Sequence, residues 1–117
     1  MAFVRIYTGA DGKSRFEELD MGFQPTDSNA TGSVTRNATS VTFRRQPVGL
    51  IQDWHVAPRR QYVITLTGMA ELEAGNGEKR TFGPADVLLA DDLTGDGHVT
   101  RVIGSGPRIS ATIPLDE

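Results

Sequence analysis

The chain has 117 residues, with 12 Lys+Arg against 15 Asp+Glu, no cysteine, 38% apolar and 7% aromatic residues. That length makes one domain able to bury roughly two-thirds of its unfolded surface, and the missing cysteines exclude disulfides, thiolate metal sites, iron–sulfur clusters and Cys nucleophiles. A formal charge of −3 argues against a nucleic-acid partner, no apolar run approaches the ~18 residues of a membrane span, and the opening MAFVRIYTGADGK lacks the apolar stretch of a signal peptide, so a cytoplasmic, soluble chain is expected.

Gly and Pro, 13 and 6 residues, are spread along the chain and punctuate short segments, as in an all-β domain. No long stretch repeats apolar residues at helical spacing. After the N-terminal strands, Arg15–Met21 is the best helical candidate and serves equally as an edge strand. The polar stretch 24–37 reads as a surface loop. Strands are then expected at Thr39–Arg45, Val48–His55, Gln61–Thr67, Met69–Glu73, Lys79–Phe82, Asp86–Ala90, His98–Ile103 and Arg108–Ile113. Gly68, Gly83-Pro84, Leu93–Gly97 and Gly104–Pro107 separate them, and Asn76-Gly77 favours a type I′ hairpin turn. About eight to ten short strands suit a β-sandwich or barrel.

Alternation along each strand assigns faces. In Gln61–Thr67, Tyr62, Ile64 and Leu66 oppose Gln61, Val63 and Thr65, and both faces are apolar enough to be covered. Ile51, Asp53 and His55 share a face against Gln52 and Trp54. His98, Thr100 and Val102 share another. The chain's two histidines therefore sit on strands beside apolar neighbours.

These segments resemble the small single-domain cupins of the cupin 2 type. Gln61 stands before Gly68 in QYVITLTG, where that family usually has a Glu, and Asp53-Trp54-His55 lies where its paired histidines occur. Phe82-Gly83-Pro84-Ala85-Asp86-Val87-Leu88-Leu89 is similar to the family's Gly-Pro-Gly-Asp strand entry, and Gly95 to His98 keeps its Gly-x-x-His spacing. The resemblance spans residues 39–113. It implies an all-β, cupin-like double-stranded β-helix, or jelly-roll barrel, in one domain covering residues 1–117, and it implies a homodimer.

The resemblance also implies a ligand set inside the barrel, here Asp53, His55, Gln61 and His98. Two His and a carboxylate suit one divalent ion, Fe, Mn, Zn or Ni, though a neutral Gln in place of Glu makes the site degenerate. A metal-free barrel is the competing outcome. In that case Asp53 and His55 form an acid–base pair, with His98 as a further proton-transfer group. Gln61, Arg60 and Thr100 are the candidate substrate contacts. Arginines at a pocket mouth (Arg44-Arg45, Arg59-Arg60) suit a carboxylate or phosphate, and equally suit a solvated surface. Trp54 and Tyr62 point away from the pocket.

Two functions are compatible with these residues. One is a small enzyme (an oxygenase, isomerase or lyase) acting on a small organic acid or carbonyl compound. The other is a non-catalytic barrel that binds a small molecule. A structural role built on contacts through Tyr62, Ile64 and Leu66 is a third. Asp91-Asp92 and Asp96-Gly97 read as turn residues, and the Asn29-Ala-Thr31 and Asn37-Ala-Thr39 triplets are set aside as glycosylation sites for want of a secretory route.

Overall fold

Short runs of alternating apolar and polar residues leave one structural solution, two sheets that bury one face against each other. In the computed structural model, which describes residues 1–26 and 31–116, this is what the chain builds. The larger sheet contains β1 (Phe3–Thr8), β2 (Ser14–Glu18), β5 (Thr42–Gln46), β7 (Gln61–Thr67), β10 (Val87–Asp91) and β12 (Arg108–Pro114). The smaller contains β6 (Ile51–His55), β8 (Met69–Ala74), β9 (Lys79–Phe82) and β11 (His98–Ile103). Two residue pairs, β3 (Gln24–Pro25) and β4 (Gly32–Ser33), form a separate ribbon inside the polar stretch 24–37. The Asn29 triplet lies in part outside the described residues.

The strand orders are β2-β1-β10-β7-β12-β5 and β6-β11-β8-β9. All pairs are antiparallel except β1 with β10. The chain is an all-β, cupin-like jelly roll, and among the described residues no helix is long and apolar enough to cross a membrane. Residues 15–18 of the ambiguous segment Arg15–Met21 are strand, paired with β1 at the edge of the larger sheet. The Asn76-Gly77 turn is not type I′, because only Gly77 takes a positive φ (91°). Gly77 N donates to Ala74 O and Ala74 N to Glu78 O, both at 2.9 Å, a three-residue loop closed by glycine.

The interior divides into a packed half and an open half. Val4, Ile6, Leu72, Ala74, Phe82, Leu88 and Ala90 fill the space under β1, β10, β8 and β9, each large side chain contributing about 1.5–3 kcal/mol through burial. The outer face of the larger sheet carries a second cluster, Phe3, Val87, Leu89 and Leu115, covered by Leu19 and Met21 and flanked by Tyr62 and Ile64. Both faces of β7 are thus covered, as its composition requires. Tyr62 packs on Phe3 with ring centroids 5.8 Å apart and is half-buried; Leu66 remains exposed.

Candidate functional site

Where the apolar packing stops, between β5, β7 and β12 on one side and β6 and β11 on the other, the sheets enclose a cavity of about 350 Å³. Leu72, Leu88, Ala90, Val63 and Ala57 form its apolar floor. Of the residues expected at the site, His55, His98, Gln61 and Thr100 line it, while Asp53 and Arg60 do not. Arg44 lines it as well; Arg45 and Arg59 do not. Arg60 lies 3.6 Å from Asp91, which also holds Arg5 at 2.8 Å on the outer side of the sheet.

Asp53 is displaced by a β-bulge. His55 pairs with His98 and Gln52 with Thr100, so β6 advances three residues while β11 advances two. The extra residue breaks the alternation, and Gln52 instead of Asp53 shares the inner face with His55. The Asp53 carboxylate is exposed and accepts the Trp54 N–H at 2.9 Å. Its carbonyl still serves the site, because His55 Nδ1 lies 2.8 Å from Asp53 O. A carbonyl only accepts, so Nδ1 carries the proton and Nε2 keeps its lone pair in the neutral ring. Gly97 lets the strands approach this closely: its φ is 74°, and a Cβ there would collide with the His55 carbonyl.

The carboxylate that does reach the histidines is Asp92. On β10, Leu88 and Ala90 face inward, and Asp92 continues that face just past the strand end, whereas Asp91 continues the outer one. Asp92 Oδ2 sits 2.5 Å from His98 Nδ1 and is fully buried. The carboxylate therefore fixes His98 with Nδ1 as donor, and Nε2 has no hydrogen bond among the described residues. The backbone holds Asp92 in place, its carbonyl accepting from Ala57 N at 3.1 Å. Among the described residues its Oδ1 has no hydrogen-bond partner. The two imidazoles stand side by side, centroids 4.5 Å apart.

On the opposite wall, Arg108 is 5% exposed. Nε and Nη2 donate to Thr65 Oγ1 at 3.3 and 3.0 Å, and Nη1 to Gln46 Oε1 at 3.3 Å. Gln46 Nε2 in turn reaches Gln52 Oε1 at 3.4 Å. Burial pushes the Arg108 guanidinium below its ordinary pKa. Gly68, with φ 76°, allows the close passage, since a Cβ would meet Arg108 Cα at 2.8 Å.

Among the described residues no group of three or more His, Asp or Glu side chains is placed to hold a metal ion. Asp53 is turned out by the bulge, and Asp92 is engaged on His98 Nδ1. Two imidazole nitrogens and the Gln61 amide remain, a set with no ligating carboxylate that does not fit a divalent centre. The chemistry of this cavity is therefore derived from its own side chains.

No family model matches the chain, and no curated protein matches it either. Solved structures do. A conserved protein of unknown function from Streptococcus pyogenes, SPY1581, aligns with a TM-score of 0.51 and 15% identity over 72% of this chain and 71% of that one. The dTDP-6-deoxy-D-glucose-3,5-epimerase RmlC from Legionella pneumophila Philadelphia 1 aligns with a TM-score of 0.39 and 10% identity over 97% of this chain and 73% of that one. At these identities the likeness concerns the fold alone.

Proposed function

We propose that the chain is a small-molecule enzyme of the proton-transfer type, an isomerase or lyase working on a small carbonyl or carboxyl compound in the barrel. The observation that carries this reading is the buried Asp92–His98 pair at 2.5 Å beside a second imidazole. Asp92 orients His98 and stabilises the imidazolium that forms when Nε2 takes a proton. His98 Nε2 removes a proton from carbon, and the imidazolium so formed returns that proton to oxygen or to a neighbouring carbon, while His55, held through its own Nδ1, offers a second basic nitrogen beside it. The apolar floor keeps competing water away from the carbon acid.

The test is solvent exchange. A panel of small ketones and 2-oxo acids is incubated with the protein in D2O, and deuterium entry beside the carbonyl is followed by NMR. Exchange that depends on His98 and Asp92 is the expected result. Binding without exchange in any compound would return the chain to the class of non-catalytic binding barrels.

The same reading includes a homodimer. Seven of the twelve large apolar side chains exposed among the described residues fall between residues 41 and 56, on or beside the edge strands β5 and β6: Val41, Phe43, Val48, Leu50, Ile51, Trp54 and Val56. Analytical ultracentrifugation should show a dimer that Phe43→Ser weakens; a wild-type monomer at micromolar concentration would contradict it.

A further inference from the structure

We infer that the cavity takes a small organic carboxylate and that Arg108 is its anchor. The inference rests on the cavity being a ligand site and adds the class of ligand. The chain as a whole carries more acid than base, 15 against 12, yet the cavity is lined by two arginines and by no Asp or Glu. Arg108 and Arg44 lie diagonally on neighbouring strands of one inner face, since Arg108 pairs with Gln46 and Ser110 with Arg44. Diagonal neighbours on a sheet are about 7–8 Å apart, within reach of long side chains, so both guanidiniums can address one anion in the cavity.

Among the described residues Arg108 has no carboxylate partner. All its described partners are neutral oxygens, Thr65 Oγ1 and Gln46 Oε1. A buried guanidinium without an anion is costly, and burial accordingly lowers its pKa. Those three bonds use one N–H each on Nε, Nη1 and Nη2. Of the five N–H groups of an arginine, two remain, one on each terminal nitrogen. A guanidinium with a free donor on each terminal nitrogen can meet both oxygens of a planar carboxylate, the fork that a lysine lacks. No lysine, the point charge that phosphate sites commonly use, is among the lining residues. Val63, Leu72 and Leu88 on the floor suit the ligand's carbon skeleton, and about 350 Å³ is at the small end of ligand cavities.

Isothermal titration and thermal shift with acetate, succinate and benzoate, their neutral amides, and inorganic phosphate test the inference on the full chain. At least one carboxylate should bind at millimolar or better affinity, its amide about tenfold more weakly, a difference of one lost charge-assisted pair. Arg108→Met should remove the preference. If that variant fails to fold, Arg108→Lys keeps the charge without the fork and Arg44→Met removes the outer charge; each should weaken carboxylate binding several-fold and leave amide binding unchanged. Amides binding as well as carboxylates would overturn the anchor while leaving a ligand cavity. Phosphate binding as tightly as the best carboxylate would overturn the ligand class. Binding that is indifferent to all three variants would place the anion elsewhere and overturn the inference. The D2O exchange experiment, with uncharged ketones, reports separately on proton transfer.

Discussion

His98 Nδ1 lies 2.5 Å from Asp92 Oδ2, on a carboxylate with no solvent exposure whose other oxygen has no hydrogen-bond partner. The bond fixes the imidazole with Nδ1 as donor and aims Nε2 away from the carboxylate. Asp92→Asn should lower proton-transfer activity by about 10²–10⁴-fold, the usual worth of a positioned acid–base group. The variant should remain folded, within about 1–2 kcal/mol of wild type by urea denaturation, because the Asn Oδ1 still accepts from His98 Nδ1 and a neutral hydrogen bond takes the place of a charge-assisted one. A loss of fold together with activity would assign Asp92 to the scaffold.

The bulge in β6 gives the opposite expectation for the other aspartate. Asp53 has an exposed carboxylate bonded to the next residue's N–H. Asp53→Ala should change exchange rates by no more than about twofold, as expected for a surface side chain. A loss comparable to that of Asp92→Asn would mean that the carboxylate swings into the cavity.

Much of this barrel is legible in the sequence. Gln61–Thr67, Lys79–Phe82 and His98–Ile103 are strands with those bounds, because strong alternation there ends at glycine, proline or polar turns. His55, Gln61, His98 and Thr100 meet because their strands bring one face inward. The bulge could not be read: IQDWH contains no glycine or other mark of an irregular residue, and one extra residue reverses which side chain faces the cavity. Asp92 was legible in principle, since the inward series Leu88, Ala90 continues to it, but an acidic pair before LTGDG has the composition of a turn. Arg108 was masked by the opposite habit, a charge at a strand start being ordinarily read as surface. Its alternation with Ser110 and Thr112 was the signal, a polar stripe of which every member is buried.

Ala85 is the one described non-glycine residue with a positive φ, 73°, at the turn before β10. The turn is held by Asp86, whose Oδ2 accepts from Gly83 N at 2.8 Å and whose Oδ1 accepts from Ala2 N at 2.8 Å. Left-handed backbone strains an alanine by about 1–2 kcal/mol, partly offset by the greater unfolded-state entropy of glycine. Ala85→Gly should therefore stabilise the protein by about 0.5–1 kcal/mol in chemical denaturation. A destabilised variant would show that the turn relaxes around alanine without strain.

Gly97→Ala should do the reverse. Both its φ of 74° and the His55 carbonyl in the path of a Cβ oppose the substitution, and a loss of about 3 kcal/mol or more is expected where backbone must move. The same shift should separate the two imidazoles, so exchange activity should fall even at temperatures where the variant stays folded. Full activity in a stable Gly97→Ala protein would contradict the packing described for β6 and β11.

Acid sensitivity has one identifiable surface contributor. Asp11 is held below the usual carboxylate range, first by the Lys13 backbone N–H on its Oδ1 at 3.0 Å and then by Arg15, which reaches both oxygens at 3.0 Å. With the folded pKa depressed, its contribution is complete above the unfolded value and is lost as pH falls through the folded one. Thermal melts of Asp11→Asn should match wild type at strongly acidic pH and fall below it at neutral pH. Parallel curves across the whole range would remove Asp11 from the acid transition.

The most direct test of the central claim is the ¹⁵N spectrum of the histidine rings, recorded across a pH series into the alkaline range. With only two histidines in the chain, His55→Gln assigns both. The neutral His98 ring should carry its proton on Nδ1, facing Asp92, with Nε2 showing the shift of a bare lone pair, and Asp92→Asn should disturb that tautomer. A neutral His98 ring protonated on Nε2 in the wild-type protein would contradict the account, because the nitrogen assigned to take the substrate proton would already be occupied.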